Sequence, residues 1–365
     1  MESEYDNLRT ALAWSLERHQ SDRALRLAGA LSYFWMQRGI VSESYQWLND
    51  ALTVAEGEQH AKMAAGNSPH PSVEMAQRAK ALYGAALFQL GTLDMKKGRA
   101  LVDESLRVWR ALGDTWWTAV ALELKALMLS VSPDFELALV CLEEGVALGR
   151  QIEDPWPLAV CLIRMGDALK PRGQGAAARP FLEEGVALAR RIGDKYVLSE
   201  GLRELGSILY IEGDLTAAES LIEEALAIGR ALGSLASVFL AMFQLVLIAC
   251  LQNDAVKAKR YSGEAWALGK DTGSPFAALF AILTFGLAAS IGGEAGRGVR
   301  LVAAAQALLA QFGFQPGQSD PVMMLVKQVL EQAQAQLGLA AFQAAWADGE
   351  QMTLEAVADA CSVMA

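Results

Sequence analysis

Thirteen-residue segments of this chain align without a gap every 40 residues: VDESLRVWRALGD from Val102, LEEGVALGRQIED from Leu142, LEEGVALARRIGD from Leu182 and IEEALAIGRALGS from Ile222. Weaker copies follow as SGEAWALGKDTGS from Ser262 and VAAAQALLAQFGF from Val302. A fixed period of this length is the mark of a repeat architecture, in which each unit buries its apolar face only against its neighbours. One column of the alignment holds small residues, Gly98, Ala138, Ala178, Ala218, Ala258 and Gly298. A second, seven residues on, holds Ser105, Gly145, Gly185, Ala225, Ala265 and Ala305. Seven residues are two helical turns, so both columns share one face and admit a close neighbour. Large apolar residues such as Leu106, Val146, Val186, Leu226 and Trp266 flank them at amphipathic spacing. These define helix B of each repeat.

The ends of helix B are marked as well. Gly113, Gly193, Gly233, Gly273 and Gly313 fall where a left-handed residue stops a helix, with Glu153 as the exception. Asp114, Asp154, Asp194, Ser234 or Ser274 comes next as an N-cap, and Pro155 and Pro275 suit a first helical position. Helix A of the next repeat carries Leu82, Leu122, Leu162, Leu202, Met242 and Ile282 in one column. It breaks at turns such as Lys97-Gly98, Ser132-Pro133-Asp134 and Glu212-Gly213-Asp214. The expectation is an all-α, right-handed α-solenoid of helix-turn-helix hairpins, about fifteen or sixteen helices with no sheet. Residues 1–56 form a capping helix and an irregular first repeat, and 57–72, with Pro69 and Pro71, a polar loop. Residues 73–314 form six hairpins. In 315–365 a linker over Gln315–Asp320 leads to capping helices over Pro321–Leu337, Leu339–Asp348 and from Thr353 to Met364.

Composition narrows the function classes. Lys and Arg total 31 against 42 Asp and Glu, a net charge of −11, so the chain has no basic face to track phosphates and no direct nucleic-acid or acidic-lipid partner is expected. Mean hydropathy is +0.22, yet the longest apolar stretch, Val238–Leu251, is 14 residues and contains Gln244. A span needs about 20, so this reads as a helix buried on most sides, with no membrane partner. The opening Met-Glu-Ser-Glu-Tyr-Asp is acidic and polar, unlike a signal peptide. Cys141, Cys161, Cys250 and Cys361 each sit in an apolar run without a CxxC pair, which fits buried thiols in a reducing, cytoplasmic setting. His19, His60 and His70 are the only histidines; His60 and His70 fall in the polar loop without further ligands, and no metal or cofactor is expected.

Leu205-Gly206, Leu209, Ala218, Ile222 and Ala225 match the tetratricopeptide (TPR) pattern, as do Met165-Gly166, Leu169 and Ala178. The period is 40 and not 34, which implies longer helices. The chain resembles the helical sensor arm of bacterial signal-transduction ATPases of the LuxR and antibiotic-regulatory types, a group that includes the maltotriose-responsive activator. The residues that carry this are the opening Glu4-Tyr5-Asp6-Asn7-Leu8-Arg9-Thr10-Ala11-Leu12-Ala13-Trp14, then Leu25–Leu31 with Phe34-Trp35 and Gly39, and the closing Phe342–Leu354. No GxxxxGK followed by Ser or Thr occurs, and neither Gly263–Lys270 nor Gly292–Gly298 has a nucleotide loop's setting. A DNA-reading helix with a basic face is also missing. The resemblance therefore implies a bacterial sensor arm without its motor and output, working with a protein partner such as an ATPase or a DNA-binding regulator module.

In such stacks the A helices line the concave face. With Gly206 as reference, that face takes Glu123, Ile163, Asp167, Lys170, Glu200, Arg203, Ser207, Tyr210, Phe243, Leu247 and Phe280. Its middle is charged and its last two repeats are apolar, which suits a small amphipathic ligand or a peptide. Alternatively Phe243, Leu247 and Phe280 only pack against the terminal cap. Asp167 and Arg203 could form a structural ion pair or orient a ligand. Trp116, Trp156, Tyr196 and Phe276 share one repeat phase beside Trp117, as a binding strip or as packing between repeats. The functional expectation is a non-catalytic, ligand- or protein-binding arm of a transcriptional regulator. A hydrolase using carboxylates such as Glu123, Asp167 and Glu200 together with aromatic residues in the groove, and a pure protein scaffold, are the alternatives.

Overall fold

The structure, a computed structural model, describes residues 4–38, 40–64, 71–92, 94–130, 134–170, 174–269, 275–311, 321–353 and 356. Among them are seventeen helices and no strand. Three lead: α1 (Tyr5–Glu17), α2 (Ser21–Arg38) and α3 (Val41–Ala64). Twelve follow as A/B hairpins: α4 (Pro71–Thr92) with α5 (Met95–Leu112), α6 (Thr115–Ser130) with α7 (Phe135–Gly149), α8 (Trp156–Leu169) with α9 (Gly175–Ile192), α10 (Lys195–Ile211) with α11 (Leu215–Leu232), α12 (Leu235–Leu251) with α13 (Ala255–Gly269), and α14 (Pro275–Ile291) with α15 (Ala295–Gln311). α16 (Pro321–Leu337) and α17 (Leu339–Glu350) close the chain's described part. Each hairpin packs on the next, and the fold is an all-α solenoid of TPR-like repeats.

The helix stops fall where the period places them. Gly113, Gly193 and Gly233 adopt φ of 69°, 78° and 68°, a region closed to most side chains. The next residue caps the following A helix: Asp114 Oδ1 accepts from Trp117 N at 2.9 Å, and Asp194 Oδ1 from Tyr196 and Val197 N. Asp94, Asp214 and Asp254 cap B helices in the same way, from within the A/B turns. Where Glu153 replaces the glycine, α7 stops at Gly149 and the chain crosses to α8 over 150–155. Pro155 accordingly sits at the N-cap of α8, one residue before its expected place. Gly273, Gly313, Ser274, the linker 315–320, His70 and Cys361 lie outside the described residues, as does nearly all of the helix expected after Thr353.

The small columns are contact points. A Cβ on Gly206 would stand 2.6 Å from Ile222 Cγ1, so this glycine is what lets α11 seat its large residue against α10. Ala225 is fully buried, and its carbonyl accepts from Ser199 Oγ at 3.0 Å. Ala225→Leu should overpack this crossing and cost about 1–3 kcal/mol; an unchanged denaturation midpoint would contradict the contact. On the outer side, Arg110–Glu144, Arg150–Glu184, Arg190–Glu224 and Arg230–Glu264 bridge successive B helices in one 40-residue phase. These pairs are half exposed and contribute at most about 1 kcal/mol each.

The polar loop expected from 57 begins later: α3 runs on to Ala64. Ala61, Lys62, Met63 and Ala64 are good helix formers and no proline interrupts them. Glu58, from this extension, accepts from Ser21 N at 3.0 Å and Ser21 Oγ at 2.7 Å, anchoring the start of α2.

The superhelix closes on itself. Leu279 and Leu309 of the sixth hairpin cluster with Met95 of the first, and α14 touches α4. Tyr33 of α2 reaches Trp156 and Tyr196, at the starts of α8 and α10. Consequently the A helices are enclosed nearly all round, and every residue of α12 from 241 to 250 is buried. No helix among the described residues is long and apolar enough to cross a membrane.

Candidate binding site on the inner face of the A helices

Three consecutive A helices, α6, α8 and α10, bring seven charged side chains together. Arg164, at the centre, directs Nε to Glu123 Oε1 at 2.8 Å, Nη1 to Asp167 Oδ2 at 3.2 Å and Nη2 towards Glu200 Oε1 at 3.6 Å. Lys170 Nζ meets Asp167 Oδ1 at 2.9 Å and also binds Glu204, which pairs in turn with Arg203. Asp167 and Arg203 do not pair directly: Arg203 takes the nearer Glu204, one residue on in its own helix, and Asp167 takes Arg164 and Lys170. The three carboxylates proposed for acid–base work thus converge on a single guanidinium.

Burial and neighbouring charge act in opposite proportion on Asp167 and Glu200. Burial would raise Asp167, but Lys170 and Arg164 outweigh it and hold this carboxyl below its usual range. In Glu200 burial prevails: Arg164 and Arg203 pull the carboxyl down, Glu123 and Glu204 push it up, and the net shift is upward. Asp167 therefore contributes stability present above its unfolded value of 3.8, and lost as pH falls through the lower folded one. Glu200 has the opposite sign: it favours the folded chain below its unfolded value of 4.5, a contribution lost as pH rises through the raised folded one. At pH 7, Asp167→Asn should lower the melting midpoint, whereas Glu200→Gln should leave it unchanged or raise it. Equal losses from both would contradict this division.

The remaining expected groove residues are more enclosed than an open concave face allows. Ile163, Ser207, Tyr210 and Leu247 are wall residues, exposed by no more than 2%. Ser207 Oγ donates to Tyr210 Oη at 3.0 Å and accepts from Gln244 Nε2 at 3.0 Å. Phe243 and Leu247 share one buried cluster with Val326, Val329, Leu330 and Ala333 of α16, with Phe280 packed against it. Helix α16 thus covers the apolar end of this face. Glu200 and Asp167 keep 21% and 24% of their side chains exposed.

The aromatic columns form a continuous strip along the starts of the A helices. Trp116 stacks on Trp156 at 5.5 Å and meets Trp117 at 4.9 Å; Trp117 stacks on Trp109 and touches Tyr83 of α4. The indoles of Trp116 and Trp156 each donate to the next repeat's cap, Asp154 at 3.0 Å and Asp194 at 2.8 Å. Packing between repeats explains these bonds, while Trp116, Trp117, Trp156, Tyr83 and Tyr196 all stay partly exposed. The side chains of Phe276 and His60 lie outside the described residues.

Arg164, Glu204, Gln244, Tyr33 and Tyr83 are the site residues that the column analysis missed. Arg164, Glu204 and Gln244 stand 40 residues apart, a polar row one residue beyond the Ile163, Arg203 and Phe243 column. Cys141, Cys161 and Cys250 are buried free thiols, and burial pushes Cys250 up to about 12. Among the described residues no group of His, Cys, Asp and Glu could hold a metal.

No protein-family model matches the chain. Over 117 residues, 31% of its length, it is 32% identical to predicted HTH-type transcriptional regulators of Mycobacterium tuberculosis and Mycobacterium bovis, and it spans only 12% of their length. Among solved structures it is similar to a Rap protein complexed with competence and sporulation factor, with TM-score 0.61 and 12% identity over 99% of both chains. It is also similar to NprR in complex with its cognate peptide NprX, with TM-score 0.56 and 14% identity over 90% of this chain and 92% of that one. The chain thus shares a helical-repeat fold with these two proteins and a stretch of sequence with HTH-type transcriptional regulators.

Proposed function

We propose that this chain is a non-catalytic sensor arm: it binds a short peptide or small amphipathic ligand on the inner face of its A helices and passes the event to a regulatory partner. The observation that carries this reading is the charged centre on α6, α8 and α10. Seven ionised groups on an inward face are costly to hold there for packing alone, yet Asp167 and Glu200 still reach solvent. The superposition on NprR over 90% of the chain supports a peptide, since that protein was solved with its cognate peptide bound. The sequence relation to HTH-type regulators supports transcription as the output, and the resemblance of the chain's two ends supports an attached or partner ATPase of the LuxR type.

Ligand binding would bridge several hairpins. In a closed superhelix any such bridge biases curvature, and it need favour one curvature by only a few kcal/mol to act as a switch. The test is a short-peptide library screened against the intact chain by thermal stabilisation. Binders should lose affinity with Asp167→Asn, and a screen with no binder would refute the peptide reading. Turnover of ester, phosphate or glycoside substrates that vanished in Asp167→Asn and Glu200→Gln would instead establish an enzyme.

A further inference from the structure

Glu200 is the unbalanced member of the charged centre. Among the described residues Glu123, Asp167, Glu200 and Glu204 pair only with Arg164, Lys170 and Arg203, so one negative charge is in excess. That excess falls on Glu200, whose only ionic contact is the 3.6 Å one to a guanidinium already bonded twice, and which makes no hydrogen bond among the described residues. It is also the carboxylate that burial raises. A side chain that weakens the free protein and still faces solvent is placed to meet a ligand.

The rings supply the walls. Tyr196 precedes Glu200 by one helical turn on α10 and lies on the same side. Tyr33 from α2 packs on Tyr196 at 6.0 Å, and Tyr83 from α4 lies within electrostatic reach of both Glu123 and Glu200. The hydroxyls of Tyr83 and Tyr196 make no hydrogen bond among the described residues and can accept one. The strip already holds an ammonium: Lys80 Nζ sits 5.1 Å from the centre of the Trp117 ring, with no carboxylate within 4.0 Å of it among the described residues.

We infer that Glu200, with Tyr33, Tyr83 and Tyr196, forms a subsite for a cationic group, an ammonium or guanidinium carried by the ligand. The carboxylate neutralises the charge and the ring faces stabilise it through their quadrupoles. An anionic ligand group would add to the excess, and a neutral sugar would leave it uncompensated. The inference deepens the sensor-arm reading and rests on it for the site's use, but the subsite can be probed without any peptide.

The experiment titrates the intact chain with N-acetyl-arginine amide and, separately, N-acetyl-citrulline amide, its uncharged counterpart. The readout is tryptophan fluorescence, to which Trp116, Trp117 and Trp156 contribute. The arginine probe should give a saturable change, with the citrulline probe at least tenfold weaker. Glu200→Gln should reduce that preference to less than twofold, and Tyr196→Leu, which keeps the charge and removes a wall, should weaken the arginine probe severalfold. Circular dichroism should show both variants folded; Glu200→Gln failing to fold would contradict a residue held for binding. Equal binding of the two probes, an unaltered preference in Glu200→Gln, or no saturable response to arginine would overturn the subsite. Peptides from the library that bind regardless of charge would overturn the subsite and leave the sensor-arm reading standing. A silent library with a Glu200-dependent arginine response would do the reverse.

Discussion

Arg164→Leu is expected to destabilise the chain by about 3–5 kcal/mol, because it leaves Glu123 buried without its partner. Glu123 and Arg164 have side-chain exposures of 11% and 7%, so water cannot replace the lost bond at 2.8 Å. The loss propagates, since Arg164 is also a counter-charge for Asp167 and Glu200. Chemical denaturation measures it. Replacing both partners, as Glu123→Leu with Arg164→Leu, should recover a large part of the loss, because a well-packed apolar pair carries no desolvation cost. A single variant losing under about 1 kcal/mol, the range of exposed pairs, would show that the centre is solvated and not built into the fold.

Gly298→Val is the second large effect. A Cβ at this position would lie 2.5 Å from Ser290 N and 2.6 Å from Gly286 O, backbone atoms of α14 that cannot rotate away. The α14–α15 crossing would have to open, at a cost of about 3 kcal/mol or more. Gly263, inside α13, is the control: nothing lies within 4 Å of its Cβ position, and Gly263→Ala should gain up to about 1 kcal/mol from helix propensity. If both substitutions had similar effects, the small-residue column would not mark a close crossing. The measurement is the denaturation midpoint of each.

The hairpins and their contacts were legible because the period repeats a local rule. Gly113, Gly193 and Gly233 stop helices for the same steric reason, and Ala225 or Gly298 is small because a neighbour is close. A single copy would be ambiguous, but six in phase are not. The exception proved readable too: without glycine at position 153, α7 ends three residues before Ile152, where its phase mates end. The extension of α3 past Glu56 was hidden by the prolines and glycines near it, although Ala61 to Ala64 favour helix.

The site was less legible, since its shape depends on curvature that no local pattern encodes. Tyr33 and Tyr196 are 163 residues apart and meet only because the superhelix closes. Ser207, Tyr210 and Leu247 looked groove-facing on an open solenoid and are buried in a closed one. Arg164 and Glu204 sit in a row flanking the Leu162 and Leu202 core column, where charge is unexpected. Only pairing with other buried charges makes them tolerable, Arg164 with Glu123, Asp167 and Glu200, and Glu204 with Lys170 and Arg203, and that is a property of the stack.

Hydrogen exchange of the intact chain, with and without the tightest binder from the short-peptide library, addresses the central claim most directly. Binding on the inner face predicts slowed exchange in α6, α8 and α10 around Glu123, Arg164 and Glu200, with the B helices α7, α9 and α11 unchanged on their outer side. Protection confined to those B helices, with the A helices unaffected, would contradict it and move the binding surface to the outer face of the solenoid.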